Sequence, residues 1–128
     1  MKGTRKAGPA WRVLWVCVLL LGGAGHVQAS NIYIFGDSLS DTGNAAVFIG
    51  DTGGFEGVRF SDGIVWHEYL ADSLGTSTAP SLLGGSNYAF GGARAVGGAS
   101  SPDVSAQLGQ YFSGPGAGGA DSDALYIS

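Results

Sequence analysis

Residues 36–44 read Gly-Asp-Ser-Leu-Ser-Asp-Thr-Gly-Asn and stand directly behind the apolar run Ile32-Tyr33-Ile34-Phe35. A short apolar run that ends in glycine reads as a buried parallel strand. In open α/β sheets the ligand crevice lies beyond the carboxyl ends of such strands. Ser38 then stands at the mouth of that crevice, on the first turn of a helix expected to start near Ser38 or Leu39 and to fade before Gly50. Free backbone N–H groups and the positive end of the helix dipole converge there, so an oxyanion would be stabilised without a metal. This is the local geometry of acyl transfer, with Ser38 as nucleophile. The same nine residues also suit a plain strand–turn–helix junction whose serine and aspartate only cap the helix.

Three further stretches decide between these readings. They are Arg59-Phe60-Ser61-Asp62-Gly63 leading through Trp66 to Glu68-Tyr69-Leu70-Ala71, then Asn87 to Ala93 (Asn-Tyr-Ala-Phe-Gly-Gly-Ala), then Asp121 to Ile127 (Asp-Ser-Asp-Ala-Leu-Tyr-Ile). Together with residues 36–44, in this order and spacing, they resemble the GDSL esterases and lipases, also called SGNH hydrolases. The resemblance runs from about Asn31 to the last residue. It implies that Ser38 is the nucleophile and that its own N–H is one oxyanion donor. It aligns Gly92, or with less support Gly91, with a glycine whose N–H is another donor, and glycine suits a main chain that must approach a substrate closely. It also implies a flavodoxin-like three-layer α/β/α fold with a parallel sheet, the SGNH hydrolase fold.

The family carries two more blocks, a Gly-x-Asn-Asp whose asparagine is a third oxyanion donor and a late Asp-x-x-His that supplies the base and its carboxylate. Neither occurs in these 128 residues. Tyr126-Ile127-Ser128 stops where Gly-x-Asn-Asp would follow, so the expectation is an N-terminal portion of the domain, residues 30–128, holding the first three strands only. A serine hydroxyl is a weak nucleophile until a base takes its proton. Of the two histidines, His26 lies in a segment expected to be removed. His67, between Trp66 and Glu68 on a predicted helix, is read as structural or solvated. The 128 residues alone are therefore expected to show little or no turnover.

Residues 1–29 form a separate unit. Lys2, Arg5, Lys6 and Arg12 make a basic start, Val13 to Leu21 is apolar, and Val27-Gln28-Ala29 is a small-residue exit, the pattern of a secretory signal peptide cleaved after Ala29. The apolar run is too short for a membrane anchor before Gly22, Gly23 and Gly25 dilute it. Cys17 follows Val16 inside that run, which argues against lipidation. The expected location is secreted, periplasmic or extracellular, without stable membrane insertion after cleavage.

Cleavage leaves two basic residues, Arg59 and Arg94, against all ten acidic ones, a formal charge of −8. Such a surface repels nucleic acid and anionic membranes and suits a neutral acyl-ester small molecule or lipid. No cysteine remains to form a disulfide, and no Cys/His cluster or calcium-loop spacing indicates a metal. The proposed chemistry needs no cofactor.

Around the reactive segment the elements read as α/β. Asn31–Phe35, Ser86–Phe90 and Asp123–Ser128 are strand-like. Trp66, Leu70 and Leu74 recur at helical spacing beside Tyr69, with Ser61 or Asp62 as cap and Gly75 as stop, and this stripe reads as core. Ser101-Pro102 opens another helix with Val104, Leu108, Tyr111 and Phe112 as its buried face and Gly114-Pro115 as its end. Gly50–Gly57 and Gly114–Gly119 read as loops. Alternating strands and helices indicate a parallel sheet.

Two other functional classes fit parts of the chain. Asp37-Ser38-Leu39 is also the tripeptide around the phosphopantetheine-bearing serine of acyl carrier proteins, which resemble all-helical bundles without an export signal. A noncatalytic secreted fragment or binding module on the same scaffold would lack the base, and would expose an unpaired sheet edge and apolar surface.

Overall fold

The structure, a computed structural model, describes residues 29–50, 59–97 and 100–128. The expected signal peptide and the Gly50–Gly57 loop therefore lie outside the described residues, except for Ala29 and Gly50. The elements in chain order are β1 (Ile32–Ile34), α1 (Asn44–Phe48), α2 (Trp66–Ser73), a 3₁₀ turn (Ser81–Leu83), α3 (Val104–Phe112) and β2 (Leu125–Ile127).

β1 pairs in parallel with β2, with Ile32 opposite Leu125, Tyr33 opposite Tyr126 and Ile34 opposite Ile127. The N–H of Phe35 extends this ladder to the Ile127 carbonyl at 2.8 Å. On the other side of β1 run residues 86–90, also parallel, but their pairing is a single bridge at Ile34 and Asn87. All three strand-like segments of the sequence are thus present, and β1 is central. The middle segment is not a full strand for a definite reason. The Ile34 N–H reaches the Ser86 carbonyl at 3.1 Å and the Tyr88 N–H reaches the Ile34 carbonyl at 2.7 Å. The next donor, the Gly36 N–H, is diverted to the side chain of Gln107 at 2.8 Å. On the edge facing away from β1, the Ala89 N–H is taken by the Asn87 side chain at 2.9 Å.

Side chains alternate across β1, as strand geometry requires. Ile32 and Ile34 are fully buried with Ala71 of α2 and with Ala89, flanked by Leu70, Leu74 and Ile127. Tyr33 and Phe35 face the opposite way, into a cluster with Tyr88 and with Tyr111 of α3. The Phe35 and Tyr88 rings stack at 5.6 Å, and Tyr111 meets Phe35 edge-on at 6.0 Å. One helix therefore covers each face of a small parallel sheet, an α/β/α arrangement.

Helix starts differ from the sequence expectation because side chains cap them later. α2 begins at Trp66, not after Ser61 or Asp62, because the Glu68 carboxylate accepts the Val65 N–H at 2.8 Å. Arg59 anchors that carboxylate with two further bonds, at 2.6 and 2.8 Å. α3 begins at Val104 with Asp103 as its cap, its carboxylate accepting the Ala106 N–H at 2.8 Å. The buried faces also differ. Trp66 is 51% and Tyr69 64% exposed, while His67 and Ala71 are the buried residues of α2. In α3 the buried residues are Gln107 and Tyr111, with Leu108 and Phe112 exposed.

Ile34 sits at the crossing of both pairings and is completely buried. Its truncation to alanine removes methyl groups from a site walled by backbone on two sides. Ile34→Ala is expected to cost about 2–5 kcal/mol, read as a lower denaturant midpoint with unchanged slope.

Candidate active site

Ser38 is half-buried in a tight turn just beyond the carboxyl end of β1. The turn closes when the Ser40 N–H donates to the Asp37 carbonyl at 3.1 Å and the Leu39 N–H donates to the Asp37 side chain at 3.0 Å. Ser38 is thus not on the first turn of a helix, as the sequence suggested, since α1 starts only at Asn44. Short polar side chains offer backbone donors an alternative to helix, and here they prevail. Asp41 accepts the N–H groups of Gly43 (2.7 Å), Asn44 (2.6 Å) and Ala45 (3.0 Å), and Gly43 takes a φ of 135°. The donors at the start of α1 are spent on Asp41, so that helix end does not serve Ser38.

The second glycine turn lies beside the first. Phe90 donates its N–H to the Gly36 carbonyl at 3.0 Å, two residues before Gly92 and two before Ser38 respectively. Asp41 makes a second tie, accepting the Gly91 N–H at 2.8 Å. Ser101 Oγ donates to the Gly91 carbonyl at 2.9 Å and closes the turn from the side of α3. Gly92 takes φ +81°, a left-handed value that glycine reaches without strain. The Ser38 and Gly92 N–H groups have no acceptor among the described residues, while Leu39, Ser40, Gly91 and Ala93 all donate. Gly91, the lesser candidate, has its N–H committed to Asp41.

Beneath the Ser38 turn lies a buried polar network. His67 is fully buried; its Nε2 is 2.8 Å from the Ser40 carbonyl and its Nδ1 2.9 Å from Thr78 Oγ1. A carbonyl only accepts, so Nε2 carries a proton, and in the neutral ring Nδ1 accepts from the Thr78 hydroxyl. Burial pushes its pKa below the ordinary value, outweighing the hydrogen bond to Ser40 and the nearby Glu68 charge. Both ring nitrogens are occupied, so His67 is a structural histidine, as read from its place in the sequence. Asn87 Nδ2 donates to the same Ser40 carbonyl at 2.7 Å and to Thr42 Oγ1 at 2.8 Å, and Thr42 donates to the Thr78 carbonyl at 3.1 Å. Asn44 bridges to the Asn87 and Ala89 carbonyls at 2.7 and 2.9 Å.

These geometric features coincide with a family match. A profile of the GDSL-like Lipase/Acylhydrolase family matches residues 32–127, three quarters of the chain. The chain belongs to the GDSL-like lipase/acylhydrolase family. Lipase 1 of Photorhabdus luminescens is 40% identical over 67 residues, which are 52% of this chain and 10% of that protein. The chain thus matches about a tenth of that lipase's length. Membership makes the chain part of a group of ester hydrolases, and the small parallel sheet agrees with an incomplete form of the GDSL fold. Asp41, Asn44, His67 and Asn87 brace the turns of this GDSL domain, yet none was picked out from sequence as a site residue. A buried role for Asn87 had one available signal, a lone amide heading the otherwise apolar Tyr88-Ala89-Phe90.

The histidine gives a pH test. Above the ordinary histidine value of 6.5 the ring is neutral in folded and unfolded chains alike, and the full stability is present. Below it the unfolded chain takes up a proton that the folded chain resists, so stability falls with pH towards the lowered folded value. Glu68, held below the carboxylate range by Arg59 and the Val65 N–H despite burial, loses its contribution only below 4.5. Stability is therefore expected to decline as pH falls below 6.5, and His67→Gln to flatten that decline in denaturant titrations.

Proposed function

We propose that the chain is the N-terminal portion of a secreted serine hydrolase that cleaves carboxylic acyl esters. Ser38 Oγ attacks the ester carbonyl carbon and its proton passes to a base. The carbonyl π electrons move onto oxygen, and that oxyanion is held by the N–H groups of Ser38 and Gly92. Collapse of the adduct breaks the acyl C–O bond to the leaving group, which departs as the alcohol with the proton returned by the base, and leaves an acyl group on Ser38 that water then releases as the acid. The observation that carries this reading is the pair of N–H groups, without an acceptor among the described residues, on two turns tied together at Gly36 and Asp41. Donors already fixed in place and free of internal acceptors cost no reorganisation as charge develops.

The base, its carboxylate partner and a third oxyanion donor come from residues of the protein outside these 128. Export is directed by residues 1–29, and the acidic remainder favours neutral acyl esters, small or lipid, over nucleic acid. The name of the Photorhabdus relative supports a lipase-type substrate.

Fluorophosphonates phosphonylate an activated serine and leave a stable adduct. In the full-length gene product, one adduct is expected on the peptide that contains Ser38, with hydrolysis of short-chain p-nitrophenyl esters. Ser38→Ala should abolish both. Retained hydrolysis in that variant would overturn the assignment, and a phosphopantetheine adduct after treatment with coenzyme A and a pantetheinyl transferase would favour a carrier instead. Gly92→Ala should slow hydrolysis through strain at φ +81° and contact with Ser101 Oγ, roughly 10-fold or more, while leaving the adduct on Ser38. The exported protein is expected to begin at Ser30, which N-terminal sequencing would read directly.

A further inference from the structure

Gly36, two residues before Ser38, leaves strand geometry with φ 141°. Its N–H donates to Gln107 Oε1 at 2.8 Å, and its carbonyl accepts Gln107 Nε2 at 2.9 Å as well as the Phe90 N–H. The other Nε2 hydrogen goes to the Pro102 carbonyl at 3.0 Å. Gln107 is fully buried and sits in α3, 71 residues along the chain from Gly36. Each polar atom of its amide is engaged, two of the three bonds fall on one peptide unit pair, and that same carbonyl leads through Phe90 to Gly92.

We infer that Gln107 is a positioning residue for Ser38. By gripping both the donor and the acceptor of Gly36, it sets the direction in which the chain leaves β1, and with it the placement of Ser38 against Gly92. An apolar side chain of the same size would fill the space but release the Gly36 N–H to seek the Tyr88 carbonyl, as an ordinary parallel ladder would. That would straighten the chain before Ser38. Misplacement of a reacting group by a fraction of its bond reach slows a reaction without weakening substrate binding. This inference rests on the reading of Ser38 as nucleophile.

The test uses the full-length protein with Gln107→Met, compared with wild type by fluorophosphonate titration and by kcat and KM on p-nitrophenyl butyrate. The expected result is a complete titratable fraction, KM within about twofold, and both the labelling rate constant and kcat lowered at least about tenfold. Gln107→Glu should be slow at neutral pH and recover relative to wild type as pH falls, because its protonated carboxyl regains one donor for Gly36. If the loss lies wholly in the titratable fraction, with a wild-type rate at each titrated site, Gln107 only holds the fold and the inference is overturned. Should Gln107→Met fail to fold, the Gln107→Glu to wild-type rate ratio decides, and a ratio independent of pH overturns it. Hydrolysis surviving in Ser38→Ala would instead remove the nucleophile reading itself, a result separable from all of these.

Discussion

Asp41 is fully buried, and its carboxylate takes four backbone N–H donors, three at the start of α1 and one from Gly91. A carboxylate withdrawn from water is costly unless its lone pairs are occupied, and here the backbone supplies the occupants. That requirement imposes a geometry on everything around it. The Ser38 turn must end where Asp41 can enter, α1 must start beside it, and the Gly91–Gly92 turn must come close enough to offer its own N–H. An apolar residue in the same place would leave those donors without partners in the interior, so the anion and the two turns stand or fall together.

A second layer of polar groups supports the first from below. The Ser40 carbonyl accepts from both His67 and Asn87, and Thr42 and Thr78 complete the circuit. Among the described residues no buried side-chain nitrogen or oxygen is left without a partner. Networks satisfied in this way define a single arrangement where apolar packing would tolerate several. The candidate nucleophile is thus carried on a short turn made rigid by the polar groups beneath it, and not on a helix.

The alternation of apolar runs and helical spacings made the α/β class, the strand at β1 and the existence of α2 and α3 readable from sequence. So was the position of Ser38 beyond a strand, because a glycine ending an apolar run is a local signal. Gly92 became a candidate only through likeness to a family. The misjudged features share one cause. Asp37, Asp41, Glu68 and Asp103 bind backbone donors and delay helices by several residues, and Asn87 and Gln107 draw hydrogen bonds away from a strand. Such choices depend on partners distant in sequence. For the same reason the polar His67 and Gln107 are buried while Trp66 and Tyr69 are exposed, against the ordinary preference of each residue type.

The parallel pairing of β1 with β2 joins segments at opposite ends of the described domain; the Ser30 and Asp123 backbones that bond beside it are 93 residues apart. Closing so long a loop must precede any reward from the sheet, and local contacts cannot substitute for it. Ile32 and Ile34 consequently lack their full burial until Leu125–Ile127 has been made. The sheet therefore cannot form from the first hundred residues alone. The strand that directs the chain into the Ser38 turn is thus fully paired only once the last segment of the described residues is in place.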